Sequence, residues 1–486
     1  MVIVGAGFGG IGAAIELCRH GFRDVTILDR AAGPGGTWFY NTYPGAACDV
    51  PSPLYSFSFA QQREWSRICS PQEEILDYLC GVAREFDVER LVVANTEVVS
   101  CSWDEEARQW NLVSADGRAW AADAVVVATG QLHRAAYPRI EGRESFAGHA
   151  FHSADWDHDY DLRGKRVAVV GTGASAAQFV PAIAESVERL CVFQRTGNWF
   201  LPRKNRPYPG PVKKVTQVRF VQALRRRVSF YRAESLTLMI RRPRTWGRVG
   251  HAVSAAFMRW QLRDAEIRRK VWPDYTFGCK RVLFSSYFLR ALQRPNVELV
   301  TEPIARITPT GIVTADGDER GVDCIIYGTG FRTTEFMFPM EIVGAHGVTL
   351  REVWAEGPHA HLGIMVPGFP SLFLMYGPNT NTSGGSIIVY HEAQAAYVRQ
   401  ALERVRDMGV AAVDVRSEVE SASDREVQAR FEGTAWTQCD SWYRNREGRN
   451  VTNWPGYMSG YRKCTRVFDS REFAFIPLPN GVGHVQ

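Results

Sequence analysis

Two glycine-rich segments have the residue types and spacing that bind the pyrophosphate of a dinucleotide. The first, Gly5-Ala-Gly7-Phe-Gly-Gly10, directly follows an apolar run. In such a segment Gly5 permits a tight turn, Gly7 lets the backbone approach the phosphates, and Gly10 allows close packing of helix on strand. The N-terminus of the next helix supplies N–H groups and a positive dipole. Ordinary strand–turn–helix corners also show this spacing, so the neighbouring residues must decide.

The end of the following strand indicates which dinucleotide each segment binds. Asp29 lies nineteen residues after Gly10 and can accept hydrogen bonds from both ribose hydroxyls. The second segment has no acid at this place, because its next strand ends in Arg195-Thr196. A guanidinium and a hydroxyl suit a 2′-phosphate and favour NADP, although a surface arginine at a strand end is the alternative. The loop residues of the second segment are Gly171, Gly173, Ser175 and Ala176.

Two longer patterns narrow the function further. Residues 35–49 match G-G-x-W-x-x-x-x-Y-P-G-x-x-x-D at every fixed position, and residues 146–156 match F-x-G-x-x-x-H-x-x-x-W. With these patterns the chain resembles the type I Baeyer–Villiger monooxygenases, flavoenzymes with two dinucleotide-binding domains. In the flavin-dependent N- and S-oxygenases an aromatic residue other than tryptophan usually ends the second pattern. Its fixed residues here are Phe146, Gly148, His152 and Trp156.

The resemblance implies both the cofactors and the reaction. FAD would occupy the first site and NADPH the second, and a ketone and O2 would be the substrates. NADPH would reduce the flavin, a C4a-peroxyflavin would form with O2, and one oxygen atom would enter beside the ketone carbonyl. The product would be an ester or a lactone. Flavin-dependent N- or S-oxygenation is the nearest alternative, followed by a flavoprotein that only oxidises NADPH.

The family's motifs also imply the reactive side chains of this chain. Arg281 would reach over the flavin, and Asp49 would lie between flavin and nicotinamide, where it could orient Arg281. Chemistry supplies the same need, because a peroxide nucleophile and the tetrahedral adduct are both anionic and a fixed guanidinium stabilises them. A surface Lys-Arg pair is the alternative reading of residues 280–281. The other implied cofactor contacts are Gly36, Thr37, Trp38 and Tyr55 for the flavin and Lys280 for the 2′-phosphate.

His152 invites assignment as a general base, but attack of a peroxide anion on a carbonyl removes no proton from the ketone. The resemblance places this motif on a linker that couples NADP binding to domain movement. His152 and Trp156 are four residues apart and would share one face of a helical turn. We therefore predict that they are hinge and coupling residues. Residues 439–445 and 453–456 resemble segments of the 4-hydroxyacetophenone and methyl ketone monooxygenases of this family, and this resemblance implies that Trp442 contacts the nicotinamide ribose and the substrate pocket, with a buried core tryptophan as the alternative.

Two βαβ frameworks are needed to hold these groups. An apolar run at residues 1–4, a helix over 11–19 and a strand over 25–29 predict the first, and residues 163–171 and 190–195 open the second. The closing pattern D-x-x-x-x-[AG]-T-G recurs in both halves, so we predict an α/β fold with two Rossmann-like domains. The predicted divisions are the FAD-binding domain at 1–145, a linker at 146–162, the NADP-binding domain at 163–331 with two or three inserted helices at about 211–275, and a return to the FAD-binding domain at 332–486.

Composition agrees with an ordinary globular enzyme. The 486 residues are 45% hydrophobic and 22% charged. No apolar stretch reaches the length of a transmembrane helix, and no signal peptide is recognisable. The ten cysteines are scattered without a C-x-x-C pair, which predicts reduced thiols, a cytoplasmic location and no metal site.

The net charge of +5 is unevenly distributed. Between Lys213 and Lys270, sixteen Lys and Arg residues stand against three acids, a net of +13. We predict a solvated helical face that steers the polyanionic NADPH. Weak contact with a membrane surface is the alternative. No nucleic-acid-binding motif accompanies the charge, so no nucleic-acid partner is predicted.

Overall fold

The computed structural model describes residues 1–62, 64–203, 205–337, 339–382 and 384–479. A five-stranded parallel sheet carries the first glycine segment. Its strands are short and almost entirely apolar, as expected for strands that are covered on both faces. In spatial order they are Leu372–Leu374, Val125–Val127, Val2–Val4, Thr26–Leu28 and Val92–Val93.

Alternate residues of this first sheet enter two different cores. Ile3 and Val126 pack with the helix Phe8–Arg19, whereas Val2 and Val127 pack beneath a second, four-stranded layer. That layer is an antiparallel meander with one added parallel strand. Its strands are, in order, Glu341–Val343, Val98–Asp104, Gln109–Ser114 and Ala119–Ala122.

The second glycine segment belongs to a second five-stranded parallel sheet. Its strands are, in order, Val297–Val300, Arg189–Phe193, Arg166–Val170, Cys324–Tyr327 and His149–His152. In both sheets the strand before the glycine loop is central, the next strand lies on one side, and the closing strand lies on the other. The two halves of the chain therefore repeat one topology.

The fixed residues of the 146–156 motif lie in and beside this second sheet. Residues 149–152 form an edge strand parallel to Cys324–Tyr327, and turns follow at 153–154. The prediction that His152 and Trp156 share a face of a helical turn is therefore wrong. Strand pairing wins here because it buries Phe151 against the sheet while Gly148 passes close to the backbone of Asp323.

The basic segment is helical, as predicted, but it contains four helices and not two or three. They are Gly210–Thr216, Arg219–Arg241, Trp246–Gln261 and Ala265–Val271. Arg219–Arg241 is called the long insertion helix below. No helix in the described part of the chain is long and apolar enough to cross a membrane.

The remaining elements cover the edges of the two sheets. The helix Ile387–Met408 packs on Phe8–Arg19 and brings the chain back to the first domain. The other helices are Thr37–Tyr40, Gln72–Glu85, Ala176–Ile183, Phe288–Ala291, Leu350–Val353, Ser417–Ala429 and Met458–Cys464. The other strands are Phe200–Leu201, Leu283–Phe284, Ile304–Thr308, Gly311–Thr314, Glu319–Gly321, Ala412–Val415 and Phe473–Ile476. Single turns of 3₁₀ helix lie at Glu89–Leu91, Arg143–Ser145, Ala345–Gly347, Ala435–Thr437 and Ser470–Glu472.

Candidate active site

The first glycine loop has the close approaches that its sequence predicts. Gly5 has a φ of +109°, and a Cβ there would lie 2.6 Å from the carbonyl oxygen of Ala128. A Cβ at Gly10 would lie 1.8 Å from the Gly5 carbonyl oxygen, so any side chain would force the helix off the strand. Gly7 and Gly36 face each other so closely that a Cβ on Gly36 would lie 2.8 Å from the Cα of Gly7. The loop is a cradle that only a bare backbone can form, as a bound pyrophosphate requires.

Asp29 lies at the end of the second strand and is buried. Its Oδ2 accepts a hydrogen bond from the Ala6 N–H at 2.5 Å, and its Oδ1 accepts one from the Ala31 N–H at 2.8 Å. The carboxylate thus fixes the glycine loop and the strand end at once. Each oxygen has a second lone pair, which leaves acceptor capacity for a ribose hydroxyl.

A cavity of about 360 Å³ opens beside this loop and extends to the second domain. Most of the residues predicted to contact the flavin line this cavity, and Ser175 and Arg281 reach it from the second half of the chain. The predicted residues that line it are Gly5, Gly7, Asp29, Gly36, Thr37, Trp38, Asp49, Tyr55, Ser175 and Arg281.

The segment that follows Gly36 forms one wall of the cavity. The short helix Thr37–Tyr40 buries Trp38, whose Nε1 donates to the Tyr55 hydroxyl at 3.1 Å. The two rings meet edge to face, with centroids 5.7 Å apart. This contact brings residues seventeen positions apart into one aromatic wall, which suits an extended planar ligand such as an isoalloxazine.

Arg281 and Asp49 form an ion pair in the same wall, with Nη2 and Oδ2 2.6 Å apart. Burial would raise the pKa of the Asp49 carboxyl, but the Arg281 guanidinium and, more weakly, Arg203 hold that pKa below its ordinary value. Asp49 in turn raises the pKa of Arg281. The pair is therefore ionised, and the free part of the guanidinium faces the cavity.

The second glycine loop repeats the geometry of the first. Gly171 has a φ of +107°, and a Cβ there would lie 2.5 Å from the carbonyl oxygen of Gly328. A Cβ at Gly328 would itself make only ordinary contacts, 3.4 Å from the Cβ of Ala176. An alanine would thus fit at position 328, and the glycine is not required. Gly173 has open space around it, as close approach by a ligand needs.

Lys280 and Arg195 form a pair of neighbouring cations near the second loop, and neither lines the cavity. Burial lowers the pKa of the Lys280 ammonium, Asp274 opposes that shift, and Arg195 adds to it. The Nζ of Lys280 also lies 4.9 Å from the ring centre of Tyr275. Two cations whose charges repel each other are a suitable arrangement for a phosphate dianion between them. Thr196 adjoins Arg195 at this place.

The 146–156 motif packs into the second domain and does not line the cavity. His152 is buried, and burial lowers its pKa to about 4. Its Nδ1 accepts a hydrogen bond from the Ala154 N–H, and its ring lies 6.0 Å from that of Phe331, a residue of the cavity wall. Trp156 packs 5.3 Å from Phe179 on the helix that follows the second glycine loop. The motif thus contacts both the second loop's helix and the cavity wall.

A disulfide joins Cys279 to Cys439 and corrects the prediction that all ten cysteines are reduced thiols. The two residues are 160 positions apart, so no local spacing could reveal them. The bond ties the segment that carries Arg281 to the segment that carries Trp442. Trp442 lies at the surface, 42% exposed, with its ring 4.1 Å from that of Tyr443. Its contact with nicotinamide or substrate stays a prediction.

Tyr376 and His391 are among the wall residues that sequence reasoning did not assign to the site. Tyr376 has a left-handed backbone with a φ of +62°, and its hydroxyl donates to Oδ1 of Asn381 at 2.8 Å. Burial raises the Tyr376 pKa to about 12. His391 lies at the start of the helix Ile387–Met408, and burial lowers its pKa to about 3. Tyr376 belongs to a Tyr-Gly-Pro-Asn turn, the only local signal for this part of the wall.

Two glycine cradles on parallel sheets, joined by a cavity with an ion pair, define a two-dinucleotide oxidoreductase. A family model described as pyridine nucleotide-disulphide oxidoreductase matches residues 2–243. A Baeyer–Villiger monooxygenase of Pseudomonas aeruginosa is 39% identical over 483 residues, which are 99% of this chain and 92% of the relative. One of Streptomyces coelicolor is 40% identical over 489 residues, covering 99% of this chain and 94% of the relative. The chain belongs to the type I Baeyer–Villiger monooxygenase family.

Solved structures agree with this membership over nearly the whole chain. An oxidised steroid monooxygenase bound to NADP superposes with a TM-score of 0.88 at 32% identity, covering 98% of this chain and 99% of that one. Cyclohexanone monooxygenase from Rhodococcus sp. Phi1 bound to NADP+ gives 0.86 at 28% identity, covering 98% of both chains. The predicted fold class and the predicted FAD- and NADP-dependent monooxygenase class are confirmed. The match does not support the alternative of N- or S-oxygenation.

Proposed function

We propose that this chain converts a ketone into an ester or lactone with NADPH and O2, and that the reacting centre lies beside Arg281. The observation that carries the proposal is the partly buried Arg281–Asp49 ion pair in the wall of the cavity. Both charged side chains line the cavity that also holds the first glycine loop, and a charged pair in such a cleft is a candidate for a catalytic role.

FAD binds in the cavity of the first glycine loop, and NADP binds at the second. The bare cradle of Gly5, Gly7 and Gly10 receives the pyrophosphate, and Asp29 accepts from the ribose. The aromatic wall of Trp38 and Tyr55, with Thr37 beside it, receives the flavin ring. A flavin bound there would supply the hydride-accepting and O2-activating chemistry of the reaction.

Arg281 stabilises the negative charge that develops on the ketone oxygen during attack. Asp49 occupies only Nη2 of the guanidinium, so the remaining N–H groups can donate to an anionic oxygen. Asp49 raises the already high pKa of Arg281, so the guanidinium is protonated at neutral pH.

Asp49 is a positioning residue that orients Arg281 and balances its charge. Without the carboxylate the guanidinium could rotate among several rotamers, and its full charge would favour bound anions over a neutral ketone. With it, one rotamer is fixed and the pair is close to neutral before the reaction begins.

Lys280, Arg195 and Thr196 hold the 2′-phosphate of NADP. Gly171, Gly173 and Ser175 form the second cradle, and Ala176 begins the helix that points at the phosphates. The 2′-phosphate of NADP would neutralise the positive charges of Lys280 and Arg195. NAD has no such phosphate and would leave both charges unpaired.

Phe146, Gly148, His152 and Trp156 couple the second domain to the cavity. His152 is uncharged above its pKa of about 4 and is not an acid or base in the reaction. Trp156 packs on Phe179 of the helix Ala176–Ile183, and His152 packs on Phe331 in the cavity wall. A shift of one contact would move the other, since both are buried side chains of one packed segment.

The decisive experiment is aerobic turnover with NADPH and a panel of ketones under ¹⁸O₂, followed by mass spectrometry. The wild-type chain should give an ester or lactone that carries one heavy oxygen. In Arg281→Ala we expect anaerobic reduction of the flavin by NADPH at a near-normal rate, but about 10²- to 10³-fold less ester. Arg281→Lys is the matched control and should recover only part of the loss, because lysine offers a point charge without the fork. Ester formation at the wild-type rate in Arg281→Ala would remove Arg281 from the mechanism.

A further inference from the structure

The N-terminal half of the long insertion helix exposes large apolar side chains and buries the polar Gln222 and Ser229, whereas the C-terminal half buries Leu236 and Ile240. Phe220, Leu224, Val228 and Tyr231 are spaced four, four and three residues apart, so they form one stripe along the helix. Phe220 is 75% exposed and Tyr231 is 59% exposed. The buried residues on the opposite face are Gln222, Ser229, Ala233, Leu236, Thr237 and Ile240.

This arrangement is the reverse of a helix that packs only on its own domain. Such a helix turns its apolar stripe to the core and its polar residues to water. Val215 and Val218, in and after the preceding helix Gly210–Thr216, are also exposed and lengthen the apolar surface. We call Val215, Val218, Phe220, Leu224, Val228 and Tyr231 the docking face. Contiguous exposed apolar residues of this kind mark an interaction site.

Uncompensated positive charge accompanies the docking face. Within the described parts of the chain, no acidic side chain lies within ion-pair distance of a set of exposed cations on these two helices. The helix's own acid, Glu234, is engaged elsewhere, since it accepts hydrogen bonds from the backbone and hydroxyl of Ser459. These exposed cations are Lys213, Lys214, Arg219, Arg227 and Arg232.

Apolar side chains surrounded by cations that have no acidic partner among the described residues fit an anionic lipid surface better than any other partner. The acyl boundary receives the apolar stripe, and the lipid phosphates receive the cations. A nucleic acid offers phosphates but no apolar layer for six such side chains. A second copy of the chain would bring like charges together around the stripe.

We propose that the docking face binds peripherally to the surface of an anionic lipid bilayer. Such binding goes beyond the oxygenation reaction and does not depend on it. The charges draw the chain to the surface, and the apolar stripe enters the interface with the helix lying in its plane.

The same helix is the outer support of the cavity wall. Arg226 points inward and donates to the carbonyl oxygens of Pro53 and Ser56, which flank the cavity residue Tyr55. Leu236 packs so closely on Gly384 that a Cβ there would lie 2.9 Å from it. Docking would therefore place one helix, about 10 Å across, between the bilayer surface and the wall of the cavity.

The test uses the full FAD-loaded chain and flotation with two kinds of vesicle. One contains phosphatidylglycerol and phosphatidylcholine, and the other contains phosphatidylcholine alone. We expect binding to the first at low ionic strength, at least tenfold weaker binding to the second, and clear weakening as salt shortens the range of the charges.

Two pairs of variants separate the two contributions. Phe220→Ser with Leu224→Ser removes apolar area, and Arg227→Glu with Arg232→Glu reverses charge. Each pair should weaken vesicle binding about tenfold or more while leaving ketone turnover unchanged in vesicle-free solution at saturating NADPH, where electrostatic steering of the cofactor no longer limits the rate. The matched controls are Met408→Ser with Val467→Ser and Arg404→Glu with Arg425→Glu, which alter equally exposed residues elsewhere and should bind as the wild type does.

Three results would overturn the proposal. The first is no flotation with anionic vesicles at low salt. The second is an equal loss of vesicle binding in the control pairs, which would show that binding depends on the overall composition of the surface and not on the docking face. The third is a dimer in light scattering that the docking-face variants abolish, which would assign the face to a second copy of the chain.

Discussion

Lys280 and Arg281 are consecutive residues with opposite electrostatic surroundings. Asp49 raises the pKa of Arg281, whereas burial lowers the pKa of Lys280 and the repulsion of Arg195 adds to that shift. Arg281 already has Asp49 as its counterion. Lys280 and Arg195 repel each other, and a bound phosphate would neutralise that repulsion. One dipeptide can therefore serve the cavity with one side chain and a bound phosphate with the other.

The first prediction concerns the choice of nicotinamide cofactor. Lys280→Ala and Arg195→Ala should each raise the KM for NADPH by about 10- to 100-fold, the range expected for a lost charge-assisted hydrogen bond. The KM for NADH should change little, since NADH has no 2′-phosphate. Steady-state kinetics with both cofactors measure this, with Arg189→Ala, an exposed strand residue paired with Glu298, as the control. A parallel rise in both KM values would show a general loss of structure.

The second prediction is an acid instability caused by His152. Its folded pKa of about 4 lies below the ordinary 6.5, so the unfolded chain takes up a proton that the folded chain refuses. The contribution of His152 to the free energy of unfolding should be constant above pH 6.5 and should fall by about 3 kcal/mol between pH 6.5 and 4, in addition to the loss from the other buried histidines, His361 and His391. His152→Gln should reduce this part of the slope in urea unfolding curves measured across that range. Gln438→Ala, at an exposed residue without a titratable group, should leave the slope as it is.

At the scale of elements, the first glycine loop holds its helix close to its strand because Gly10 has no side chain to separate them. Gly10 and Gly81 are both helical glycines, but only Gly10 meets a neighbouring backbone; around Gly81 nothing lies within 4 Å. Gly10→Ala should therefore push the helix Phe8–Arg19 from its strand and abolish the bound flavin spectrum. Gly81→Ala should keep the spectrum and add about 0.5–1 kcal/mol of stability, since alanine is the better helix former. Full flavin occupancy in Gly10→Ala would contradict the assigned cradle.

The elements also show what a sequence can and cannot predict. The strands Val2–Val4 and Arg166–Val170 were recoverable because a doubly covered parallel strand is an unbroken apolar run. The strand His149–His152 was not, since its pairing with Cys324–Tyr327 depends on a segment far along the chain. The Cys279–Cys439 bond escaped for the same reason. The left-handed backbone of Tyr376 follows from tertiary packing and has no local signal of its own.

At the scale of the molecule, two copies of one topology are joined at a cavity that neither could form alone. Arg281 comes from the second half and Asp49 from the first, so the reacting centre exists only while the halves keep their mutual position. What fixes that position is a separate question from what binds each cofactor. Gln178, on the helix after the second glycine loop, provides the clearest physical answer.

Both the oxygen and the nitrogen of the Gln178 side-chain amide form hydrogen bonds with the loop that leads to Asp49. Its Oε1 accepts from the Ala47 N–H at 3.1 Å and from the Tyr43 hydroxyl at 3.2 Å, and its Nε2 donates to the Ala47 carbonyl at 2.9 Å. Its own backbone carbonyl lies so near Gly45 that a Cβ there would be 2.9 Å away. One side chain of the second domain thus satisfies the backbone of a loop in the first, two residues from the ion pair.

Gln178→Ala should therefore loosen the junction while both cofactors still bind. With the loop free, Asp49 would hold Arg281 less firmly, and water would enter the cavity during turnover. We expect ester formation to fall by about tenfold, as for a displacement of reacting groups, while NADPH oxidation persists and hydrogen peroxide accumulates. The measurement is the ratio of ester to NADPH consumed, with Gln438→Ala, an exposed glutamine, as the control. Since loss of a cofactor would stop NADPH oxidation as well, an unchanged ratio in Gln178→Ala would show that the two halves are held together elsewhere.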